Sequence, residues 1–198
     1  MILIVKVTDI EGLYKEYLEK GDIKRADALY LYFKRGPEGA AQTLRIRYGI
    51  AAPLTSVIED LKALGITNRS GKTEDSQEYF TKVFKVSFEK LCLDRIIELA
   101  EEKMKGTSPL AREILFLITA LGDDALNFNL CSKVYKLLFQ RALDNKSYER
   151  ALEELVTCYV LEVSTYGYSL TDFFDTLLLR LSQFLPEVEV RVTWPKEV

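Results

Sequence analysis

Histidine is absent from the sequence, and this absence limits the chemistry of the chain more than any other feature of its composition. It removes the commonest general base, the commonest metal ligand and every catalytic triad that depends on an imidazole. The three cysteines, Cys92, Cys131 and Cys158, are widely separated and include no Cys-x-x-Cys pair, so neither a zinc knuckle nor a disulfide framework is indicated. We therefore expect a protein without a metal, without another cofactor, without catalytic residues and without enzymatic activity.

Long apolar runs are absent as well. No run reaches the roughly 18 residues that a membrane-spanning helix needs. The apolar segment 1–5 is followed by Lys6 and carries neither a basic leader nor a cleavage site of small residues, so it does not resemble a signal peptide. We expect a cytoplasmic protein that has no membrane partner.

The composition that remains is that of an ordinary globular protein. The 198 residues are 48% hydrophobic and 29% charged, which is enough apolar material to bury a core without disulfides. The net charge of −3 conceals an asymmetry, because 12 basic and 8 acidic residues fall within 24–90 whereas 9 basic and 13 acidic residues fall within 106–198. A balance of +4 in the first segment and −4 in the second suggests that the two parts have different tasks.

Hydrophobic spacing and capping residues predict several helices in the first half of the chain. Thr8 can open the first helix and Gly21 can end it, after which Asp22 can cap the second. Gly36 and Pro37 then separate the second helix from the third, because proline suits the first turn of a helix. The predicted helices are 8–20, 22–35, 37–48, 53–64 and 91–105.

Two segments of the same half have the alternation that is typical of β-strands. Residues 1–7 are rich in β-branched side chains and are predicted to form a strand. From residue 66 to residue 88 the period changes from helical to alternating, with Phe84, Val86 and Phe88 on one face. This pattern predicts a β-hairpin with a long polar tip.

The segment 106–109 is the clearest boundary in the chain, because it combines glycine, hydroxyl residues and proline. It divides the chain into an N-terminal module, 1–105, and a C-terminal region, 106–198. Beyond it, hydrophobic spacing predicts an antiparallel helical assembly. The predicted helices are 109–121, 129–144, 147–165 and 169–184. A final strand at 188–194 is predicted to pair with the first strand, so the fold class is mainly α with a small β component.

One segment carries a resemblance to a known family. Leu54, Ile58 and Leu61 form an apolar ladder that is followed by the glycine–apolar pair Gly65–Ile66. This pattern resembles the recognition helix and wing of the winged-helix (helix-turn-helix) superfamily. The resemblance covers residues 22–105, less than half of the chain.

The resemblance implies that the N-terminal module is winged-helix-like and binds double-stranded DNA. Helix 53–64 would enter the major groove, helix 37–48 would precede it, residues 68–78 would form the tip of the wing, and residues 79–88 would form its return strand. The side chains that the resemblance assigns to DNA contact are Arg45, Arg47, Thr55, Ser56, Lys62, Arg69 and Lys72.

The same resemblance implies a DNA-binding transcriptional regulator or an accessory protein in nucleic-acid processing. The helical C-terminal region would then form a homodimer or bind a protein partner, and a dimer would present two recognition helices to two half-sites. Two features near the predicted recognition helix depart from the family pattern, as does the wing tip, where Glu74, Asp75 and Glu78 offset Arg69 and Lys72. Glu59 and Asp60 lie on the outward face and would repel phosphate, and the turn that begins at Gly49 is about one residue shorter than usual.

The alternative interpretation is a non-enzymatic adaptor or structural subunit of a protein complex. In that case both regions bind protein, and the basic residues of the first segment are surface charges. The acidic pair Glu59–Asp60 favours this interpretation over DNA binding.

Two weaker motifs point to small ligands. Residues 70–73 end like a phosphate-binding P-loop, but the predicted order of helix, loop and strand is the reverse of what that motif needs. Asp172 and Asp175 have the spacing that places both on one helical face, where two acids could hold a metal. Acids early in a helix more commonly favour its dipole, and we expect that role here.

Overall fold

A computed structural model describes residues 2–66 and 77–189, and the side chains of residues 9–66 and 91–189. The described residues are mainly helical and contain one small antiparallel sheet, which confirms the predicted fold class at this level. The helices are α1 (Ile2–Glu19), α2 (Ile23–Tyr48), α3 (Ala52–Ala63), α4 (Gln77–Met104), α5 (Pro109–Leu121), α6 (Phe128–Phe139), α7 (Asn145–Thr157) and α8 (Phe174–Leu181). The strands are β1 (Leu161–Ser164) and β2 (Gly167–Leu170), and 3₁₀ turns cover Gly122–Leu126 and Ser182–Phe184.

The connection between α1 and α2 follows the prediction. Gly21 has a φ of 70°, the left-handed conformation in which glycine ends helices without a steric penalty. Asp22 is the N-cap of α2, and its side chain accepts a hydrogen bond from the backbone N–H of Arg25. The predicted stop and cap are therefore confirmed.

α2 is the central helix of the fold and is broken where the sequence predicts. Gly36 has φ 70° and ψ 175°, a conformation outside the helical region, and Pro37 starts the second half of the helix. Every residue from Ala26 to Tyr32 is buried, so the first half of α2 is covered on all sides. A helix buried all round is surrounded by other elements of the core.

Strand β1 lies unusually close to the second half of α2. A Cβ atom at Gly39 would come within 2.6 Å of the backbone oxygen of Val163, so this position tolerates no side chain without movement. Four residues further along α2, Thr43 Oγ1 accepts the backbone N–H of Val163 at 3.0 Å. The hairpin is therefore attached to α2 through its backbone as well as through its side chains.

Two predicted strands of the N-terminal module are wrong. Residues 2–7 belong to α1, so they do not pair with the C-terminus as a strand. Residues 79–88 belong to α4, where the return strand of a wing was predicted. In both cases the alternation is short, and a neighbouring helix extends through it because each added residue gains a further backbone hydrogen bond. The predicted wing tip lies mostly outside the described residues, and so does most of strand 188–194.

The predicted helices of the C-terminal region are correct in part. α5 has the predicted bounds, and Ser108 caps it. α6 ends at Phe139 because Gln140 adopts a left-handed conformation with φ 54°. α7 ends at Thr157, earlier than predicted. The β1–β2 hairpin replaces the end of the helix predicted over 147–165 and the start of the helix predicted over 169–184.

The two halves of the chain share one hydrophobic core. Its fully buried residues include Leu29 and Leu44 from α2, Leu115 from α5, and Leu155 and Leu161 from α7 and β1. The division of the chain at residue 105 stays a prediction, but the two regions pack directly against each other through α2.

Candidate functional site

The side chains predicted to contact DNA occupy very different environments. Arg45, Thr55 and Lys62 are exposed, and Ser56 is partly buried on α3. Arg47 is buried, with 8% of its surface exposed. Arg69 and Lys72 lie outside the described residues. Ile66, the expected first residue of the wing, is fully buried at the end of α3.

Arg47 is held inside the protein by an ion pair. Its Nη1 donates to both carboxylate oxygens of Asp27, at 2.9 and 3.0 Å, and its Nε donates to the backbone oxygen of Val156 at 2.8 Å. Its guanidinium also lies 3.9 Å from the centre of the Tyr159 ring. The prediction that Arg47 binds phosphate is therefore wrong, because a guanidinium with these partners does not reach the surface.

Two tyrosines complete this buried cluster. The Tyr48 hydroxyl donates to Asp27 Oδ2 at 3.0 Å and lies 2.9 Å from the Tyr159 hydroxyl. Burial, together with the nearby Asp27 carboxylate, raises the pKa of both tyrosines well above the usual value, so both stay neutral. Tyr159 has a φ of 63°, a strained conformation for a residue with a side chain. The cluster is a structural junction between α2 and the end of α7.

A second polar junction connects α2 to the hairpin. Arg35 Nε pairs with Glu162, whose side chain is completely buried, and Arg35 Nη2 donates to the backbone oxygen of Leu170 at 3.0 Å. Lys34 pairs with Asp172. Asp172, one of the two acids considered as a metal pair, is thus engaged in an ion pair, whereas Asp175 lies exposed in the first turn of α8.

Arg45 lies in a shallow groove of about 540 Å³ between α2 and α7. Arg150, Glu153 and Glu154 line the same groove, so its charges are of mixed sign. Glu154 is already engaged, because it accepts hydrogen bonds from the backbone N–H and the hydroxyl of Ser108. Lys62, Thr55 and Ser56 are not among the described residues that line this groove, so the groove does not bring them together with Arg45.

A different surface is exposed on α6. Leu130 and Leu137 lie seven residues apart, which places them on one side of the helix. Leu137 is 79% exposed and Leu130 is 39% exposed. Lys133 and Lys136 are exposed beside them, and α6 contains no acidic residue. We call these four residues, Leu130, Lys133, Lys136 and Leu137, the α6 face.

The opposite side of α6 is fixed to the core. Cys131 and Tyr135 are buried, and the Tyr135 hydroxyl donates to Glu113 of α5 at 2.7 Å. Asn127 caps the helix by accepting the backbone N–H of Leu130. The α6 face is therefore presented on a helix whose other side is packed against the core.

Sequence reasoning assigned an interaction to the C-terminal region but did not identify α6. The signal was present: the buried residues Cys131 and Tyr135 define one side of the helix, and Leu130 and Leu137 fall away from it. Other large apolar side chains are exposed singly on separate elements, such as Tyr166 at the hairpin tip and Leu179 on α8.

Comparison with known proteins adds no assignment, because the chain matches no protein-family model, no curated protein and no solved structure. Among the described residues, no helix is long and apolar enough to span a membrane. In that same part of the chain, no group of histidine, cysteine or acidic side chains is arranged to hold a metal ion.

Proposed function

We propose that this chain is a non-enzymatic adaptor or structural subunit that binds another protein through the α6 face. The observation that carries this proposal is the pair of exposed leucines on one side of α6, with Leu137 exposing 79% of its surface. Apolar side chains that share one side of a helix and lie beside charged residues are typical of surfaces that a partner covers.

A partner on the α6 face would remove the apolar area of its leucines from water, and this burial favours binding. Full burial of a leucine side chain contributes about 1.5–3 kcal/mol. Most of this contribution is still available at Leu137, and part of it at Leu130. The helical conformation of α6 lowers the entropic cost of binding, because α6 does not have to fold when a partner arrives.

Binding of duplex DNA is the second candidate function. It is favoured by Arg45 and Lys62, which are exposed and have no carboxylate partner among the described residues. It ranks below protein binding because Arg47 is buried and because Glu59 lies exposed on α3. The winged-helix interpretation also loses support, since α4 occupies the segment of its expected return strand.

Quantitative co-purification tests the adaptor function. Wild-type chain, Leu137→Gln and Leu179→Gln would each be purified from their own cells, and associated proteins would be compared by mass spectrometry. Leu179 is the matched control, because it is also 79% exposed but lies on α8. We expect a stoichiometric partner that Leu137→Gln loses and Leu179→Gln keeps. Loss of the same partner in both variants, or in neither, contradicts binding through the α6 face.

Fluorescence anisotropy with labelled mixed-sequence duplex tests the second candidate. Affinity that falls steeply with salt, and that falls further in Arg45→Ala or Lys62→Ala, would support DNA binding. Absence of binding at low salt and micromolar protein would exclude general affinity for DNA.

A further inference from the structure

We infer that the partner of the α6 face is an amphipathic helix whose apolar row is flanked by acidic residues. This inference rests on the proposed function, since it names the kind of protein segment that the same surface binds. It follows from the spacing of the leucines, from the sign of the charges beside them and from the narrow width of the apolar row.

The spacing of the leucines matches a helical partner. Leu130 and Leu137 are separated by seven residues, about 10 Å along the helix axis. Seven residues are one heptad, the distance after which a partner helix again presents a side chain to the same seam. Val134 lies between the two leucines in the sequence, is half-buried and packs against the core.

The charges beside the leucines favour a partner that has residues of the opposite charge beside its own apolar row. Lys133 and Lys136 are exposed along one edge of the apolar row, and neither forms an ion pair with another described residue. Lysines at the edges of a helical seam pair with glutamate or aspartate on the facing helix. α6 carries two lysines and no acidic residue, although the region 106–198 as a whole has an acidic balance.

A second copy of the chain packed antiparallel through α6 fits this face poorly. Two α6 helices packed antiparallel about a twofold axis would place each Lys133 beside the lysine edge of the other copy. Like charges in that position are destabilising. An acidic helix brings the opposite charge to the same edge and covers the same leucines.

An anionic membrane surface also fits poorly. Helices that lie in a membrane interface insert a broad apolar face. On α6 the outward apolar surface is a narrow row, because Cys131 and Tyr135 face the core and the lysines occupy the edge of the row. The apolar row of α6 has the width that packing against a single helix requires, which is less than a membrane interface requires.

The test is a titration of the full-length ¹⁵N-labelled chain followed by two-dimensional NMR. The probe is a synthetic helical peptide that carries a single row of three leucines between two rows of glutamates. A matched peptide has lysine in place of every glutamate. We expect saturable shifts centred on the amides of α6 with the acidic peptide, and affinity for the basic peptide that is lower by at least about tenfold.

Variants locate the interaction. Leu137→Gln is expected to weaken binding of the acidic peptide by about tenfold, because it removes the most exposed leucine from the seam. Lys133→Glu is expected to reduce the preference for the acidic peptide over the basic one. Leu179→Gln should bind like the wild type, and the melting temperature of each variant shows whether it is folded.

Three results would overturn the inference. The first is equal affinity for the two peptides, and the second is a set of shifts that lies away from α6. The third is preferential occupation of the α6 face by a different partner. Self-association of the chain that Leu137→Gln abolishes would indicate a second copy. Sedimentation of the chain with vesicles that contain phosphatidylserine would indicate a membrane. If the acidic peptide fails to bind while Leu137→Gln still loses a co-purifying protein, only the inference about the acidic helix fails and the adaptor function stands.

Discussion

Arg47 and Asp27 form an ion pair in the interior of the protein, with the guanidinium Nη1 at 2.9 and 3.0 Å from the two carboxylate oxygens. Both side chains are almost fully buried. The pair links the two halves of α2, which are separated by the break at Gly36. Through the hydrogen bond from Arg47 to the backbone oxygen of Val156, it also connects α2 to α7.

Breaking this pair is expected to destabilise the fold. Arg47→Met leaves the buried Asp27 carboxylate without its partner and should lower the free energy of unfolding by about 3–5 kcal/mol. Arg45→Met is the control, because Arg45 is exposed two residues earlier on the same helix and should change stability by less than about 0.5 kcal/mol. Urea denaturation measures both values. Equal effects of the two substitutions would show that Arg47 is not a buried partner of Asp27.

The approach of β1 to α2 predicts a second contrast. Gly39→Ala places a Cβ atom 2.6 Å from the backbone oxygen of Val163, so the strand has to move, and we expect a loss of about 1–3 kcal/mol. Gly12→Ala is the matched control in α1, where a Cβ meets no atom within 4 Å. It should stabilise the protein by about 0.5–1 kcal/mol, because alanine favours a helix over glycine. Thermal and urea denaturation distinguish the two signs, and stabilisation by both substitutions would contradict the close approach.

The half-buried hydroxyl of Tyr48 predicts a third effect. Tyr48→Phe removes the donor to Asp27 and the contact with the Tyr159 hydroxyl, so it should cost about 1.5–3 kcal/mol, the range for hydrogen bonds to a charged group. Tyr166→Phe, at a tyrosine that is 99% exposed, should change stability by less than about 0.5 kcal/mol. A neutral effect of Tyr48→Phe, measured by urea denaturation, would mean that water replaces this hydroxyl in the folded protein.

Alkaline pH is expected to destabilise the protein through its buried thiols. Burial raises the pKa of Cys131 to about 11. Burial, with a contribution from Glu154, raises the pKa of Cys158 to about 12. Because both thiols ionise more readily in the unfolded chain, their contribution to stability is complete below the ordinary thiol pKa and is lost as the pH rises through the folded values.

The measurement for this prediction is the urea midpoint between pH 7 and pH 12. We expect a plateau up to about pH 9 and a decline above it, since free thiols begin to ionise there. Cys131→Ala should make the decline shallower. A midpoint that stays constant to pH 11 would contradict the burial of the thiols.

Local features of the fold could be predicted from the sequence because they depend on a few neighbouring residues. Asp22 caps α2, Gly36 interrupts it, and Ser108 opens α5, each by interactions within about one helical turn. The predicted bounds of α5 are confirmed for the same reason, because cap and apolar spacing agree at both ends.

The errors arise where distant contacts decide the structure. Strand β1 and the end of β2 were predicted as helix, and the hairpin forms where β1 can hydrogen-bond to Thr43, 120 residues away in the sequence. The position of Arg47 depends on Asp27 and on Val156, neither of which is a neighbour in the sequence. One clue was local: Arg45 and Arg47 lie two residues apart on a helix and therefore point in different directions.

The same distinction applies to the candidate site. The sequence predicted that the C-terminal region binds a partner, and the apolar spacing of α6 was readable. Which side of α6 faces the core depends on Cys131 and on the hydrogen bond from Tyr135 to Glu113 of α5. Such contacts between elements distinguish the exposed leucines from core residues.

Photo-crosslinking at position 137 tests the central claim, that the α6 face binds a protein, most directly. A benzophenone amino acid would replace Leu137 in one variant and Leu179 in another, and each would be irradiated in the cells that produce the chain. We expect one dominant adduct with a second protein at position 137, lost when Leu130→Gln is added, and no such adduct at position 179. Identical adduct patterns at the two positions, or adducts at 137 that survive Leu130→Gln, would contradict it.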